Sequence, residues 1–201
     1  MLDKSRASEL LTPYKGVIST SIRSAILDWQ KVLAEVPDWT GGLGGRTRSS
    51  FIHDRTVYRL RAEEPNHPGL RLKKIRGLQV LIVHDELVLK LKKLDAKLRS
   101  NNVPTIQTSL FNAQGVLEGT TSTSTKATAG YTLDALNALP TRLVVVCWEG
   151  SDRLWTVDLD EGEEGIVYEI DAEPKDASSS AQTRTRVKDE HKPGEATDSE
   201  E

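Results

Sequence analysis

The stretch Leu78-Gln79-Val80-Leu81-Ile82-Val83, His84-Asp85-Glu86, Leu87-Val88-Leu89-Lys90-Leu91-Lys92 reads as a β-hairpin. Both arms are rich in branched aliphatics, and the polar connection is of hairpin length. In the second arm Leu87, Leu89 and Leu91 fall on one side, and Val88, Lys90 and Lys92 on the other. That period of two predicts one face in the core and one face wet and positive. Leu70 and Leu72, interleaved with Arg71 and Lys73, predict a further strand just before it.

Upstream, Tyr14, Ile18, Ile22, Ala25, Trp29, Val32 and Val36 recur at spacings of four and three, one stripe of an amphipathic helix over 14–36. Thr12 and Pro13 suit its first turn, and Pro37 stops it. So few repeats favour packing in a core over a coiled coil. Gly41-Gly42-Leu43-Gly44-Gly45 follows, without the lysine of a phosphate-binding loop, and reads as a flexible hinge. A second helix is predicted from about Ser49 or Ser50, with Phe51, Ile52 and Leu60 inward and Arg55, Arg59 and Arg61 mostly outward.

Downstream, Lys93-Leu94-Asp95-Ala96-Lys97-Leu98-Arg99 has helical spacing. Residues 118–130 contain a Ser/Thr run that predicts an exposed loop. Three strands follow, at Tyr131–Leu136, Arg142–Trp148 and Leu154–Leu159, and their short connections imply an antiparallel meander. Ile166-Val167-Tyr168 adds an edge strand. From Ala172 the chain has no aromatic residue and Val187 as its only branched aliphatic, so it is expected to be disordered. The fold class is therefore α+β: N-terminal helices, a β-hairpin, a C-terminal antiparallel meander and a disordered tail. The expected segments are 1–45 for the helix and hinge, 46–171 for the core domain and 172–201 for the tail.

A single cysteine, Cys147, lies in an apolar run and excludes an internal disulfide framework or a cysteine zinc site. No apolar stretch follows Met1, and no run approaches the roughly 20 apolar residues that span a bilayer, so a cytoplasmic chain without membrane contact is expected. The net charge of −3 conceals an asymmetry. Residues 46–99 carry fourteen Lys/Arg against six Asp/Glu, whereas 149–171 carry nine acids and one arginine. Such a chain either neutralises itself on folding or presents a basic face to a partner.

No catalytic motif stands out. His53, His67, His84 and His191 lack metal-ligand spacing, and neither a metal nor a cofactor is expected. A magnesium nuclease would place an acid and Glu-x-Lys on neighbouring strands. Here Asp85 and Glu86 fall in the turn, and Lys90 lies four residues after Glu86. No serine-nucleophile elbow is present. The candidate binding residues are the basic cluster Lys90, Lys92, Lys93, Lys97 and Arg99, with Asn102 and Gln107. Such cations hold phosphates or acidic partners, while exposed lysines also discourage strand addition.

Leu87–Leu110, with Lys-Leu-Lys-Lys-Leu-Asp and then Arg-Ser-Asn-Asn-Val-Pro-Thr-Ile-Gln, together with Ala129-Gly130-Tyr131-Thr132-Leu133-Asp134-Ala135, resembles an uncharacterised bacterial and phage protein family. Its members are encoded near helix-turn-helix regulators and ImmA/IrrE-type metallopeptidases. The resemblance spans 50–160 and implies a regulatory role; the chain has no His-Glu-x-x-His and is not the peptidase. The expected function is a non-enzymatic binding or regulatory module acting through a partner protein. The alternative is a nucleic-acid-binding protein or metal-dependent nuclease that uses segment 46–99.

Overall fold

The computed structural model describes residues 1–75, 77–100, 111 and 123–160. The Ile166–Tyr168 strand, the tail from 172, and Asn102 and Gln107 lie outside them. The described chain is α+β. Helices α1 (Lys4–Leu11), α2 (Lys15–Glu35), α3 (Pro37–Thr40) and α4 (Gly45–Glu63) precede strands β1 (Leu70–Ile75), β2 (Leu78–Val83), β3 (Leu87–Lys93), β4 (Thr125–Leu133), β5 (Pro140–Glu149) and β6 (Asp152–Asp158). The strands form one sheet in sequence order, antiparallel throughout except for the parallel pair β3–β4.

The period-two patterns of the strands and the helical stripe meet in one core. Ile18, Ile22, Ala25 and Trp29 of α2 and Ile52 and Leu60 of α4 pack on Leu81, Leu89, Ala129, Val145 and Val157. Each large aliphatic buried there contributes about 1.5–3 kcal/mol. Cys147 belongs to the same core and is fully buried. Trp29 and Phe51, with ring centroids 5.3 Å apart, pin α2 to α4. A polar lock reinforces the pair: Arg55 Nε and Arg59 Nη2 each donate to Asp28 Oδ2 at 2.8 Å. At the other end of α2, Tyr14 donates to the Pro68 carbonyl and accepts from His84 Nε2 at 2.9 Å, joining the helix to the β2–β3 turn.

Several expectations are corrected. Helix α1, capped by Asp3 through Arg6 N, was not read from the sequence; it packs Ala7 and Leu11 into the core. Helix α4 starts at Gly45, before Ser49, with Gly44 in extended conformation as its N-cap. Residues 93–99 are not helical. Lys93 ends β3, and the Asp95 carboxylate accepts from the backbone N–H of Lys97 and Arg99, closing a turn in which Leu98 takes φ +62°. A local side-chain acceptor here competes successfully with the helix.

The Ser/Thr run likewise does not end in a loop reaching residue 130. Thr125–Gly130 lies in β4 at the centre of the sheet, buried on both faces, as suits β-branched threonine. The face carrying Val88, Lys90 and Lys92 is not wet either. Val80, Ile82, Val88 and Phe111 cluster on it, as do Leu94, Leu98, Val144 and Val146. A parallel pair needs a long crossover, and the connection from β3 to β4 places Phe111 and Leu98 over this face.

Gly130 sits where that connection leaves the sheet. A Cβ there would lie 2.5 Å from the Lys92 carbonyl oxygen and 2.6 Å from Leu94 Cγ. Backbone cannot yield as a side chain tip can, so Gly130→Ala is expected to destabilise the fold by about 1–3 kcal/mol in urea denaturation. An unchanged midpoint would show that the close approach does not exist.

Candidate functional site

The basic cluster read from the sequence divides in three. Lys90 is only 4 % exposed, with its ammonium 4.6 Å from the centroid of Phe111. Burial, with a smaller contribution from Lys92, pushes its pKa down to about 8. Lys92 is half-buried on the same face, and burial lowers it too. The neighbouring strand adds Lys126, buried, donating to the Ser124 carbonyl at 3.0 Å and also lowered by burial. Parallel register sets Lys126 opposite Val88 and Thr128 opposite Lys90. These lysines belong to an interior.

Lys97 and Arg99 form a second group, at the far end of the sheet. Lys97 is exposed. Arg99 stacks its guanidinium 4.2 Å from the Trp148 ring and donates to the Ser151 carbonyl at 2.6 Å, tying the connection to the β5–β6 turn. Asp85 and Glu86 pair with Arg71 and Arg6 respectively, at the β2–β3 turn. Among the described residues no three His, Cys, Asp or Glu side chains gather as metal ligands.

Lys93 is the third part, and it points to the opposite face from Lys90 and Lys92. Its ammonium donates to Asn137 Oδ1 at 2.7 Å, in the β4–β5 turn. Arg48, in the first turn of α4, approaches from the helix layer. Burial first, and then the charge of Arg48, lower the pKa of Lys93. Tyr131, opposite Lys93 in the parallel ladder, is pushed up to about 12 by burial, with the charge of Arg48 opposing. Neither Arg48 nor Lys93 has a carboxylate within ion-pair distance among the described residues. The nearby Asp134 carboxylate accepts from Ala138 N within its own turn.

Two like charges without a counter-charge are unfavourable, and their placement compounds the cost. Helix α4 has Gly44 as N-cap without a side-chain hydrogen bond, no acid in its first turn, and Arg46 and Arg48 there instead. Cations at a helix N-terminus oppose the macrodipole by about 0.3–1 kcal/mol each. Arg48 Nε is also buried without a hydrogen-bond partner.

The segment before α4 and the β4–β5 turn expose apolar side chains. Trp39 is 81 % and Leu43 43 % exposed, just before α4; Leu136 is 85 % and Leu139 48 % exposed, flanking Asn137. Gln30 of α2 donates to the Ala138 carbonyl at 2.9 Å, which fixes the helical and β-turn parts at one end of the molecule. Sequence reading selected Lys93 but missed Arg48, Trp39, Leu43, Leu136 and Leu139. The only local signal was a tryptophan and a leucine at a glycine-rich corner.

The acids of 149–160 do not neutralise the basic segment 46–99 among the described residues. Asp158 pairs with Arg142, and Asp160 with Arg23 at 2.8 Å. Arg55 and Arg59 are instead met by Asp28, whose carboxyl burial would raise but which their hydrogen bonds hold below its ordinary range. No described helix is long and apolar enough to cross a membrane. Searches of family models, curated proteins and solved structures find no match to the chain.

Two outcomes follow from these charges. Lys90 titrates near 8 when folded and near 10.4 when unfolded, so the unfolded state binds more protons between those values and stability rises with pH there. From about pH 7.5 to 9.5 the gain from Lys90 is about 2 kcal/mol. Urea denaturation at both pH values should show that Lys90→Met flattens the rise; an equally steep rise in the variant would refute the assignment. Arg48→Glu, which supplies both a favourable helix charge and a partner for Lys93, should stabilise the chain by about 0.5–1.5 kcal/mol. A lower melting temperature would show that Arg48 serves the fold.

Proposed function

We propose that this chain is a non-enzymatic binding module that acts through a partner protein docked on the end formed by Trp39, Leu43, Leu136 and Leu139. The observation that carries this reading is the exposure of these four side chains, Leu136 and Leu139 flanking the Asn137 that accepts from Lys93, and Leu43 two residues before the helical turn that holds Arg48. A buried tryptophan or leucine contributes to the core; one left in water at the tip of a helical corner contributes nothing to the fold. Exposed aromatic and aliphatic anchors with a charged rim are the composition of a docking surface. The reading includes the role expected from the sequence, a bacterial or phage regulator that works through a neighbouring protein.

The test is a photoreactive residue at position 39, with the same residue at position 151 on the opposite end of the sheet. Crosslinking in cells that express the chain natively should yield one partner from position 39 and not from 151. The purified partner should then bind the chain, with about thirtyfold weaker affinity for Trp39→Ala. Equal capture from both positions, or a reconstituted complex indifferent to Trp39→Ala, would contradict the proposal.

A further inference from the structure

We infer that the docked segment is acidic and amphipathic, presenting carboxylates to Arg48 and Lys93 and apolar side chains to Trp39, Leu43, Leu136 and Leu139. This rests on the docking reading above and adds the chemistry of the partner.

Three independent features converge on a carboxylate. The first is placement: Lys93 lies opposite Tyr131 in the parallel ladder, the charge of Arg48 acts on both side chains, and no described carboxylate pairs with either cation. Like charges held together repel, and an arriving anion relieves that repulsion while gaining attraction to both. The second is unmet hydrogen-bonding capacity. Arg48 Nε is buried without an acceptor, and the Lys93 ammonium, with three protons to donate, has the neutral amide oxygen of Asn137 as its hydrogen-bond partner. The buried Nε marks a guanidinium the fold leaves unsatisfied, and an arriving carboxylate would meet its outer Nη groups and the Lys93 ammonium. The third is that local helix energetics oppose Arg46 and Arg48 at the start of α4. Residues that break a local rule without benefit to the fold are characteristic of functional surfaces.

The apolar rim distinguishes a protein segment from a nucleic acid. Affinity for a polyanion grows with the number of phosphates neutralised, and this end offers Arg46, Arg48 and Lys93. Leucine side chains at positions 43, 136 and 139 have no favourable contact with a phosphate backbone. They suit the apolar residues of a peptide in which acids and hydrophobes are interleaved.

The experiment uses the full chain and three fluorescein-labelled probes. One is a 12-residue peptide of interleaved glutamate, leucine and phenylalanine; the second replaces each glutamate with glutamine; the third is a 12-nucleotide single-stranded DNA. Fluorescence anisotropy at about 0.1 M salt should show the acidic peptide binding at least tenfold more tightly than the glutamine peptide. The double variant R48Q/K93Q, whose fold is checked by its melting curve, should erase that difference. Trp39→Ala should weaken both peptides. Equal binding of the two peptides would overturn the inference while leaving an apolar docking surface. Tighter binding of the oligonucleotide, lost in R48Q/K93Q, would overturn it in favour of a nucleic acid. Binding of neither peptide would also overturn it, and the crosslinking result at position 39 would then decide the docking reading separately.

Discussion

The parallel pairing of β3 with β4 is the constraint from which the remaining architecture follows. Every other neighbouring pair in the sheet is antiparallel and joined by a short connection. A parallel pair cannot be closed by a tight turn, so a longer return joins Lys93 to β4. That return places Leu94, Leu98 and Phe111 on the side away from the helices and takes Lys90 and Lys126 out of water. The parallel ladder also brings the C-terminal ends of β3 and β4 side by side, Lys93 opposite Tyr131. The β4–β5 turn therefore rises beside Lys93. Helices α2 and α4 cover the other face and bring Arg48 to the same corner.

Charge is managed differently in the interior and at that corner. Between α2 and α4, two arginines converge on one carboxylate, and the attraction outweighs the cost of partly burying Asp28. On the second face, burial makes Lys90 a weaker base, and the proximity of Phe111 gives its ammonium a ring face to lie against. At the corner neither solution is used. Arg48 and Lys93 share a site with a neutral amide, a tyrosine held un-ionised by burial, and four exposed hydrophobes. A fold under selection for stability alone has simple remedies here, such as one acid in the first turn of α4.

How much of this was legible depended on how local each signal was. The β2–β3 hairpin, helix α2 and strands β5 and β6 follow from periodicity and turn residues alone. Strand β4 was partly hidden because Thr125-Lys126-Ala127-Thr128 looks polar, and only its place between two sheet neighbours makes that composition reasonable. The turn at Asp95 was read as helix because the spacing of Leu94 and Leu98 fits both; a single carboxylate accepting two backbone N–H groups decided it. The basic cluster was chosen as a run in sequence. Alternation along β3 then sent Lys90 and Lys92 into one layer and Lys93 into another. Arg48 lies 45 positions before Lys93, and no pattern in either segment announces that they meet.

The central claim is that Arg48 and Lys93 are held near each other without a counter-charge among the described residues, and the side-chain titration of Lys93 by NMR tests it most directly. The account predicts a pKa below the ordinary lysine value of about 10.4 in the free protein, moving upward in Arg48→Gln. An ordinary value in the free protein, or a lowered one indifferent to Arg48→Gln, would contradict it.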